Sequence, residues 1–168
     1  MSVIAPKINI TIGYINDYPV SIKTIAKWHY DQWHNILPNF TLETYAEFLD
    51  SHYQRGGVPT LFVAVNDGKV IGTAALDDDD MDSHPGLSPW IASLYVDVKY
   101  RKSGVGETLV RRVIEEARSV KVKKLYLFTP DREHYLGRFG WKTLFKELYY
   151  GEMESVMVLE ISPHNPSR

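Results

Sequence analysis

The feature that most constrains this chain is a strand that runs through a short glycine-containing loop directly into an amphipathic helix. Residues 90–98 are rich in apolar and aromatic side chains, which favour a strand. Residues 104–118 place Val105, Leu109 and Val113 on one helical face, with arginines and glutamates on the opposite face. A helix with one apolar face buries that face against another layer. The junction therefore predicts an α/β domain.

The start of this helix has the properties of an anion site. The first backbone N–H groups of a helix have no intrahelical partner, and the peptide dipoles leave partial positive charge there. Gly104 and Gly106 carry no Cβ, so a phosphate can approach the backbone closely. Two cations, Arg101 and Lys102, stand just before them. These residues predict a cradle for a di- or polyphosphate, made mainly of backbone.

Two familiar phosphate motifs do not fit this loop. A P-loop has Lys-Ser/Thr after its second glycine, whereas Gly106 is followed by Glu107 and Thr108. A dinucleotide fingerprint has three glycines after the first strand of a βαβ unit, whereas this loop has only two and follows a later strand. The loop therefore indicates another class of phosphate ligand.

The remaining patterns predict a single mixed α/β domain over residues 1–161, with residues 162–168 as a loose tail. Alternating apolar residues, helical spacing and glycine or proline breaks give the order β-α-α-β-β-β-α-β-α-β-β. The predicted elements are residues 7–12, 22–37, 42–53, 60–65, 69–76, 90–98, 104–118, 124–129, 131–139, 141–149 and 155–161. A central mixed sheet flanked by helices is expected.

Composition and charge narrow the function classes. The chain has 168 residues, a formal net charge of −2 and no cysteine. Cysteine nucleophiles and disulfide frameworks are therefore excluded, and the lack of a basic excess argues against a nucleic-acid partner. The apolar runs are shorter than the roughly 20 residues that a membrane helix needs. Residues 1–7 lack the pattern of a signal peptide. A cytoplasmic protein without nucleic-acid or membrane partners is expected.

The loop resembles the signature of the GCN5-related N-acetyltransferase (GNAT) superfamily. That signature is Arg/Gln-x-x-Gly-x-Gly/Ala between a central strand and a helix, and Arg101-Lys102-Ser103-Gly104-Val105-Gly106 matches each specified position. The element order resembles the family along essentially the whole chain. Residues 90–96 and the loop are similar to bacterial members of undefined substrate. The resemblance implies a site for the pyrophosphate of acetyl-coenzyme A (acetyl-CoA).

The resemblance also implies site residues on the central strand. A backbone N–H of residues 94–96 would face the thioester oxygen, where parallel strands splay apart and pantetheine lies like an extra strand. Ser93 could hold a water in the path of the amine proton. The implied coenzyme A contacts are Leu94, Tyr95, Val96, Arg101, Lys102, Ser103, Gly104, Val105, Gly106 and Glu107.

The segment Arg138-Phe139-Gly140-Trp141 resembles the family's short aromatic helix beside the coenzyme A arm. In the family, a tyrosine four residues before the glycine usually protonates the leaving thiolate. Here Leu136 occupies that position and Tyr135 stands one residue earlier, a rotation of about 100° on a helix. Tyr135 is therefore either the general acid or a buried packing residue.

The general base has no clear sequence signal. Some family members carry a glutamate on the strand after the long helix, but residues 125–128 contain no acid. Residues 77–82 are five aspartates and one methionine; a solvated loop is expected, and its field would attract a cationic amine. On the first helix, His29 and Trp33 fall on the apolar face, which favours core packing over an aromatic acceptor pocket. The scattered histidines predict no metal site.

Three functions follow from these observations. The first is an N-acetyltransferase that moves an acetyl group from acetyl-CoA to a primary amine of a small molecule. The second is a non-catalytic acyl-CoA binding or sensing domain, which the leucine at position 136 favours. The third is a nucleotide-phosphate enzyme that uses the same loop. The expected partners are a small-molecule amine and, as an option, a second copy of the chain in a homodimer.

Overall fold

The computed structural model describes residues 8–163, which form seven strands and four α-helices. The strands are β1 (Ile10–Tyr14), β2 (Thr60–Asn66), β3 (Lys69–Asp77), β4 (Trp90–Val96), β5 (Lys124–Thr129), β6 (Lys142–Tyr149) and β7 (Glu152–Glu160). The helices are α1 (Ile22–Trp33), α2 (Leu42–His52), α3 (Val105–Ser119) and α4 (Glu133–Gly137). Their order along the chain confirms the predicted order and the mixed α/β class.

The first helix is shorter than the predicted residues 22–37. α1 ends at Trp33, and a 3₁₀ turn, His34–Ile36, follows it. The backbone of Leu37 has φ −120° and ψ 53°, because Pro38 disfavours helical geometry in the residue before it. The predicted extension of this helix is therefore wrong.

The last helix is also shorter than predicted, since α4 covers Glu133–Gly137 rather than residues 131–139. The Thr129 hydroxyl accepts hydrogen bonds from the backbone N–H groups of Asp131 and Arg132, at 3.4 and 3.1 Å. These bonds hold the preceding segment in a turn, so the helix begins later.

The strand bounds differ from the prediction by a few residues. β1 is Ile10–Tyr14 rather than residues 7–12, and β7 is Glu152–Glu160 rather than residues 155–161. β4 stops before residue 97 because the Asp97 carboxylate accepts a hydrogen bond from the N–H of Lys99, at 3.2 Å, which begins a 3₁₀ turn. Lys7 and residues 164–168 of the predicted tail lie outside the described residues.

The seven strands form one mixed sheet in the order β1-β2-β3-β4-β5-β7-β6. All neighbouring strands are antiparallel except β4 and β5, which are parallel and are connected through α3. The sheet therefore consists of two antiparallel blocks, β1 to β4 and β5-β7-β6, that meet at one parallel junction.

The two faces of the sheet are covered differently. α3 packs on one face, the α3 face, through Val105 and Leu109. α1 and α2 pack on the opposite face, the α1 face, over the first block of strands. Over the second block the α1 face is covered by the loop of residues 78–89, whose Met81 is fully buried in a cluster with Trp90. This loop takes the place of a third helix on that face.

Candidate functional site

A gap in the middle of the sheet is the central feature of the candidate site. β3 and β4 pair along most of their length, but β4 and β5 pair only at Trp90↔Tyr126. Beyond that pair the two strands separate towards their carboxyl ends. We call the gap between residues 92–96 of β4 and residues 127–129 of β5 the seam. Leu94, in the middle of the sheet, is 41% exposed, because no strand lies directly beside it there.

A β-bulge in β4 borders the seam. The register of β3 and β4 shifts between Thr73 and Ala75, so that Ala74 faces two residues, Ser93 and Leu94. Ser93 adopts a left-handed conformation with φ 52°, which is uncommon for a residue with a Cβ. The central strand is therefore locally turned at the edge of the seam.

A buried chain of hydrogen bonds holds this bulge. The Thr73 hydroxyl donates to the carbonyl of Ser93 at 2.8 Å, and its oxygen lies 2.8 Å from Nε2 of His29. The Nδ1 atom of His29 lies 2.8 Å from the Tyr45 hydroxyl. Burial lowers the pKa of His29 to about 3, so its ring is neutral. Since Thr73 gives its proton to Ser93, Nε2 donates to Thr73 and Nδ1 accepts from Tyr45.

The peptide bond after Ser93 directs an N–H group into the seam. It is a trans peptide, so the carbonyl of Ser93 and the N–H of Leu94 point in opposite directions. The carbonyl points at Thr73, on β3. The Leu94 N–H therefore points away from β3, towards the side from which β5 has separated.

The amino end of α3 lies at the open end of the seam. Gly104 is the N-cap residue, with φ 88°, a conformation that glycine adopts without strain. A Cβ on Gly104 would meet no atom within 4 Å, and one on Gly106 would meet only Cγ2 of Val96, at 3.7 Å. The Thr108 N–H donates to the Gly104 carbonyl at 3.1 Å; the four N–H groups before it, of residues 104–107, have no intrahelical acceptor. The space beside these donors is open.

Several side chains of the loop are turned back onto the protein. The Nε of Arg101 donates to the last carbonyl of β4 at 2.9 Å, and the Ser103 hydroxyl donates to a backbone carbonyl within the loop. Glu107 forms an ion pair with Arg111, at 2.7 Å. Lys102 is exposed and has a left-handed φ of 63°. The donors left open at the start of α3 are therefore mainly backbone N–H groups, with positive charge beside them, and the anion cradle stays a prediction.

Leu136 and Tyr135 lie on different faces of α4. Leu136 packs against the core under α3, whereas Tyr135 is 43% exposed. The packing alternative for Tyr135 is therefore wrong, because the leucine takes the inward face of α4. Glu133 anchors this helix by accepting hydrogen bonds from Thr143 and Ser155, at 2.7 and 2.9 Å, which lower its pKa.

The aspartate run is only partly the solvated loop that was expected. Asp77 ends β3, is buried, and accepts hydrogen bonds from the Tyr53 hydroxyl at 2.8 Å and from His52 at 3.4 Å. Burial raises the pKa of Asp77, and these two hydrogen bonds oppose the rise. Asp80 is half-buried, and burial followed by the neighbouring aspartates raises its pKa well above its ordinary range. The run turns inward because Met81 is buried.

Glu154 is a buried carboxylate that no motif in the sequence marks. The pairing Thr129↔Ser155 places it one residue beyond the end of β5, and strand alternation puts it on the α1 face with Val156. Glu154 is 7% exposed, and its Oε2 atom is buried without a hydrogen-bond partner within residues 8–163. Burial, followed by neighbouring carboxylates, raises the pKa of Glu154 to about 7. It is thus poised to exchange a proton near neutral pH.

Aromatic side chains of α1 support the central strand. Trp28 stacks on Tyr95 with 5.3 Å between ring centroids, and Trp33 meets the same ring edge-on at 6.2 Å. The guanidinium of Arg101 lies 5.3 Å from the Tyr95 centroid. The predicted core packing is confirmed for His29, which is buried, whereas both tryptophans are half-buried.

One group of potential metal ligands exists within residues 8–163. The ligand atoms of His52, Asp77 and Asp78 all lie within 4.8 Å of one another. The hydrogen bond between His52 and Asp77 accounts for part of this proximity without an ion. The absence of a metal site stays a prediction.

The structure brings most of the predicted coenzyme contacts together. Residues 93–96 line one side of the seam, and residues 101–107 surround its open end. Tyr135 lies on α4, and no hydrogen bond or ring contact in the described part of the chain joins it to them. No motif distinguishes Thr73 or Glu154 in the sequence. Thr73 is a single polar residue within an apolar strand, and Glu154 stands in a mixed stretch next to Ser155.

The pattern of the acetyltransferase (GNAT) family matches residues 22–141. That stretch is well over half of the 168 residues. The chain belongs to the GNAT family. Its members are acetyltransferases, so the acyltransferase class follows from this membership. No curated protein sequence matches this GNAT chain.

Solved structures confirm the predicted fold. An N-acetyltransferase of Staphylococcus aureus Mu50 superposes with a TM-score of 0.70 at 16% identity, covering 92% of this chain and 99% of that one. The ribosomal-protein-S18-alanine N-acetyltransferase of Escherichia coli superposes with a TM-score of 0.65 at 18% identity, covering 95% of this chain and 99% of that one. The protein yncA of Salmonella typhimurium was solved with its cofactor acetyl-CoA. It superposes with a TM-score of 0.65 at 15% identity, covering 94% of this chain and 96% of that one. In the described GNAT domain, no helix combines the length and apolar character needed to span a membrane.

Proposed function

We propose that this protein transfers the acetyl group of acetyl-CoA to a primary amine of a small molecule. The observation that carries the proposal is the seam, which presents the Leu94 N–H along its side and the uncapped start of α3 at its end. A thioester on an extended arm, with a diphosphate at the far end, matches both features. Membership of the GNAT family and the acetyl-CoA held by the Salmonella protein support the same donor.

Backbone groups would hold most of the coenzyme. The N–H groups of residues 104–107 would bind the diphosphate, and Arg101 and Lys102 would add positive charge at the rim. Residues 94–96 would pair with the pantetheine arm as a neighbouring strand does, and the exposed side chain of Leu94 would contact its apolar part.

Glu154 is the proposed proton acceptor. An alkyl ammonium must lose a proton before its nitrogen can attack a carbonyl carbon. Burial raises the pKa of Glu154 to about 7, so its carboxylate can take that proton, directly or through one water, near neutral pH. The amine nitrogen then bonds to the thioester carbon, the C–S bond breaks, and the thiolate leaves. The Tyr135 hydroxyl is the proposed donor of the proton that the thiolate receives. The acetylated nitrogen gives up its second proton, which restores the tyrosine hydroxyl through solvent.

The charge of the α1 face supports a cationic acceptor. The loop over this face carries three exposed aspartates, Asp78, Asp79 and Asp82, and Glu154 adds a further carboxyl group. A negative potential around a cleft raises the local concentration of a cation before any specific contact forms. A small amine with a second positive charge is therefore the preferred acceptor.

Two measurements test the proposal. Acetyl-CoA is expected to raise the Tm, and incubation of protein and acetyl-CoA with an amine library is expected to release free thiol with one acetylated product detected by mass. Binding without amine-dependent thiol release would favour the acyl-CoA sensing alternative. If no acyl-CoA raises the Tm, both functions are excluded. Displacement by ATP but not by coenzyme A would favour the nucleotide enzyme instead.

The role of Glu154 has its own test. For the wild type, kcat/KM is expected to rise with pH through about 7, because the carboxylate must be deprotonated to act as the base. In Glu154→Gln this rise should disappear and kcat should fall at least about tenfold. Glu160→Gln is the matched control, since Glu160 is exposed on the same strand and does not contribute to the raised pKa of Glu154. An unchanged pH profile in Glu154→Gln would remove Glu154 from the mechanism.

A further inference from the structure

We propose that Thr73, held by His29 and Tyr45, is a positioning residue that fixes the Leu94 N–H as hydrogen-bond donor to the thioester carbonyl. This inference rests on the proposed function and adds to it the residues that orient the donor. Thr73 acts through the backbone of Ser93, to which its hydroxyl donates at 2.8 Å.

The bulge needs such a restraint. Ser93 has φ 52°, a conformation that is strained for a residue with a Cβ and persists only when the surroundings hold it. Without the bond from Thr73, the peptide unit between Ser93 and Leu94 could rotate as a plane. That rotation exchanges the directions of its carbonyl and its N–H. The seam would then present a carbonyl oxygen, which repels the oxygen of a thioester.

His29 decides in which direction Thr73 donates. A threonine hydroxyl has one proton, so Thr73 can donate either to the Ser93 carbonyl or to His29, but not to both. With the proton of His29 on Nε2, at 2.8 Å from the threonine oxygen, Thr73 is left to donate to Ser93. With the proton on Nδ1, Thr73 would turn to Nε2 and release the carbonyl. The histidine tautomer therefore controls the bulge.

Tyr45 selects that tautomer. Its hydroxyl lies 2.8 Å from Nδ1 of His29 and donates to it, which leaves the proton of the ring on Nε2. Burial, then the nearby Asp80 and Asp77, raise the pKa of Tyr45, against a hydrogen bond with Ser93 that lowers it. Tyr45 therefore keeps its proton and remains a donor. The chain from Tyr45 to the seam is complete and buried.

Infrared spectroscopy of bound acetyl-CoA tests the proposal without any acceptor. The probe is acetyl-CoA labelled with ¹³C at the thioester carbonyl. In the wild type, binding is expected to lower the carbonyl stretching frequency relative to free acetyl-CoA, because the Leu94 N–H bonds to the oxygen. Thr73→Val should lose most of this shift while the Kd for acetyl-CoA changes less than about threefold. Thr73→Ser, which retains the hydroxyl, should keep the shift.

Thr60→Val is the matched control for loss of a buried hydroxyl. Thr60 is also buried on a strand and also donates to a backbone carbonyl, at 2.8 Å, but this bond lies outside the seam. A purely structural role of Thr73 predicts that both valine variants lower the Tm and that neither changes the carbonyl frequency. That result would overturn the proposal.

A measurement on the wild type covers the case in which Thr73→Val does not fold. In ¹H–¹⁵N spectra, the amide proton of Leu94 should move downfield with acetyl-CoA but not with coenzyme A, which has no thioester carbonyl. The same shift with both ligands, or with neither while both bind, would overturn the proposal. If acetyl-CoA does not bind at all, the proposed function fails first, and the inference fails with it.

Discussion

The two halves of the sheet are similar in construction and differ in what happens at their inner edges. Each half is an antiparallel block whose strands pair along most of their length. The blocks meet only at Trp90↔Tyr126, so the inner edges of β4 and β5 carry backbone groups without a strand beside them. Edges of this kind accept an extended ligand. The candidate site is thus a missing part of the sheet rather than a pocket added to it.

The largest expected effect comes from the junction itself. Trp90 is fully buried where the two blocks meet, so Trp90→Ala should lower the free energy of unfolding by about 3–5 kcal/mol. It should also weaken acetyl-CoA binding, because the spacing of the seam changes. Denaturant unfolding and calorimetric titration measure the two effects. Leu61→Ala, at a fully buried position near the start of β2, should lower stability without changing affinity. Equal affinity losses in both variants would show that the junction does not set the seam.

The open end of the seam gives the second effect. Gly104→Arg should raise the Kd for acetyl-CoA at least about a hundredfold, which corresponds to about 2.7 kcal/mol, because a side chain would occupy the space at the start of α3. Gly68→Arg is the control. Gly68 also has a left-handed backbone, with φ 76°, and a Cβ on it would also meet no atom within 4 Å. The two variants share the strain, so an equal loss of binding would point to strain and not to the cradle.

A pH effect on stability tests the buried carboxyl group of the second block. Folding raises the pKa of Glu154 from 4.5 to about 7, so the folded protein binds the extra proton between these values. Stability from this group is then present at low pH and is lost as pH rises through 7. Glu154→Gln should remove this loss and gain about 3 kcal/mol at pH 8 relative to the wild type, with little difference at pH 4. Denaturant midpoints at the two pH values measure it. An equal stability difference between Glu154→Gln and the wild type at pH 4 and at pH 8 would contradict the burial of a titrating group.

The smallest expected effect concerns the helix beside the seam. Tyr135→Phe should lower kcat by about tenfold, with an unchanged Kd for acetyl-CoA, if the hydroxyl protonates the leaving thiolate. Phe139→Leu, which removes an aromatic ring 5.2 Å from Tyr135, should leave kcat within about twofold. Steady-state kinetics with the acceptor found by mass detection provide both values. Equal kcat in Tyr135→Phe and the wild type would show that the leaving thiolate takes its proton from solvent and not from Tyr135.

The parts that could be predicted from sequence are those that depend on neighbours along the chain. The strand, the loop and α3 were predicted because helical spacing and glycine positions act within a few residues. The seam was expected only through the family resemblance, since the single pair Trp90↔Tyr126 joins residues far apart in the chain. The predicted end of α1 and the predicted start of α4 were wrong. Leu37 adopts a non-helical backbone conformation, and the Thr129 hydroxyl accepts a backbone hydrogen bond that holds the segment before α4 in a turn.

The sequence by itself determined the helix start at Gly104, whose unpaired N–H donors and dipole are present wherever the helix lies. Only the tertiary structure decided the direction of the Leu94 N–H and the pKa of Glu154. The first depends on a hydroxyl from β3 and a histidine from α1, and the second on removal of a carboxylate from water. Hydrogen bonds between distant residues and desolvation exist only once the chain has folded, so no local sequence pattern predicts either of them.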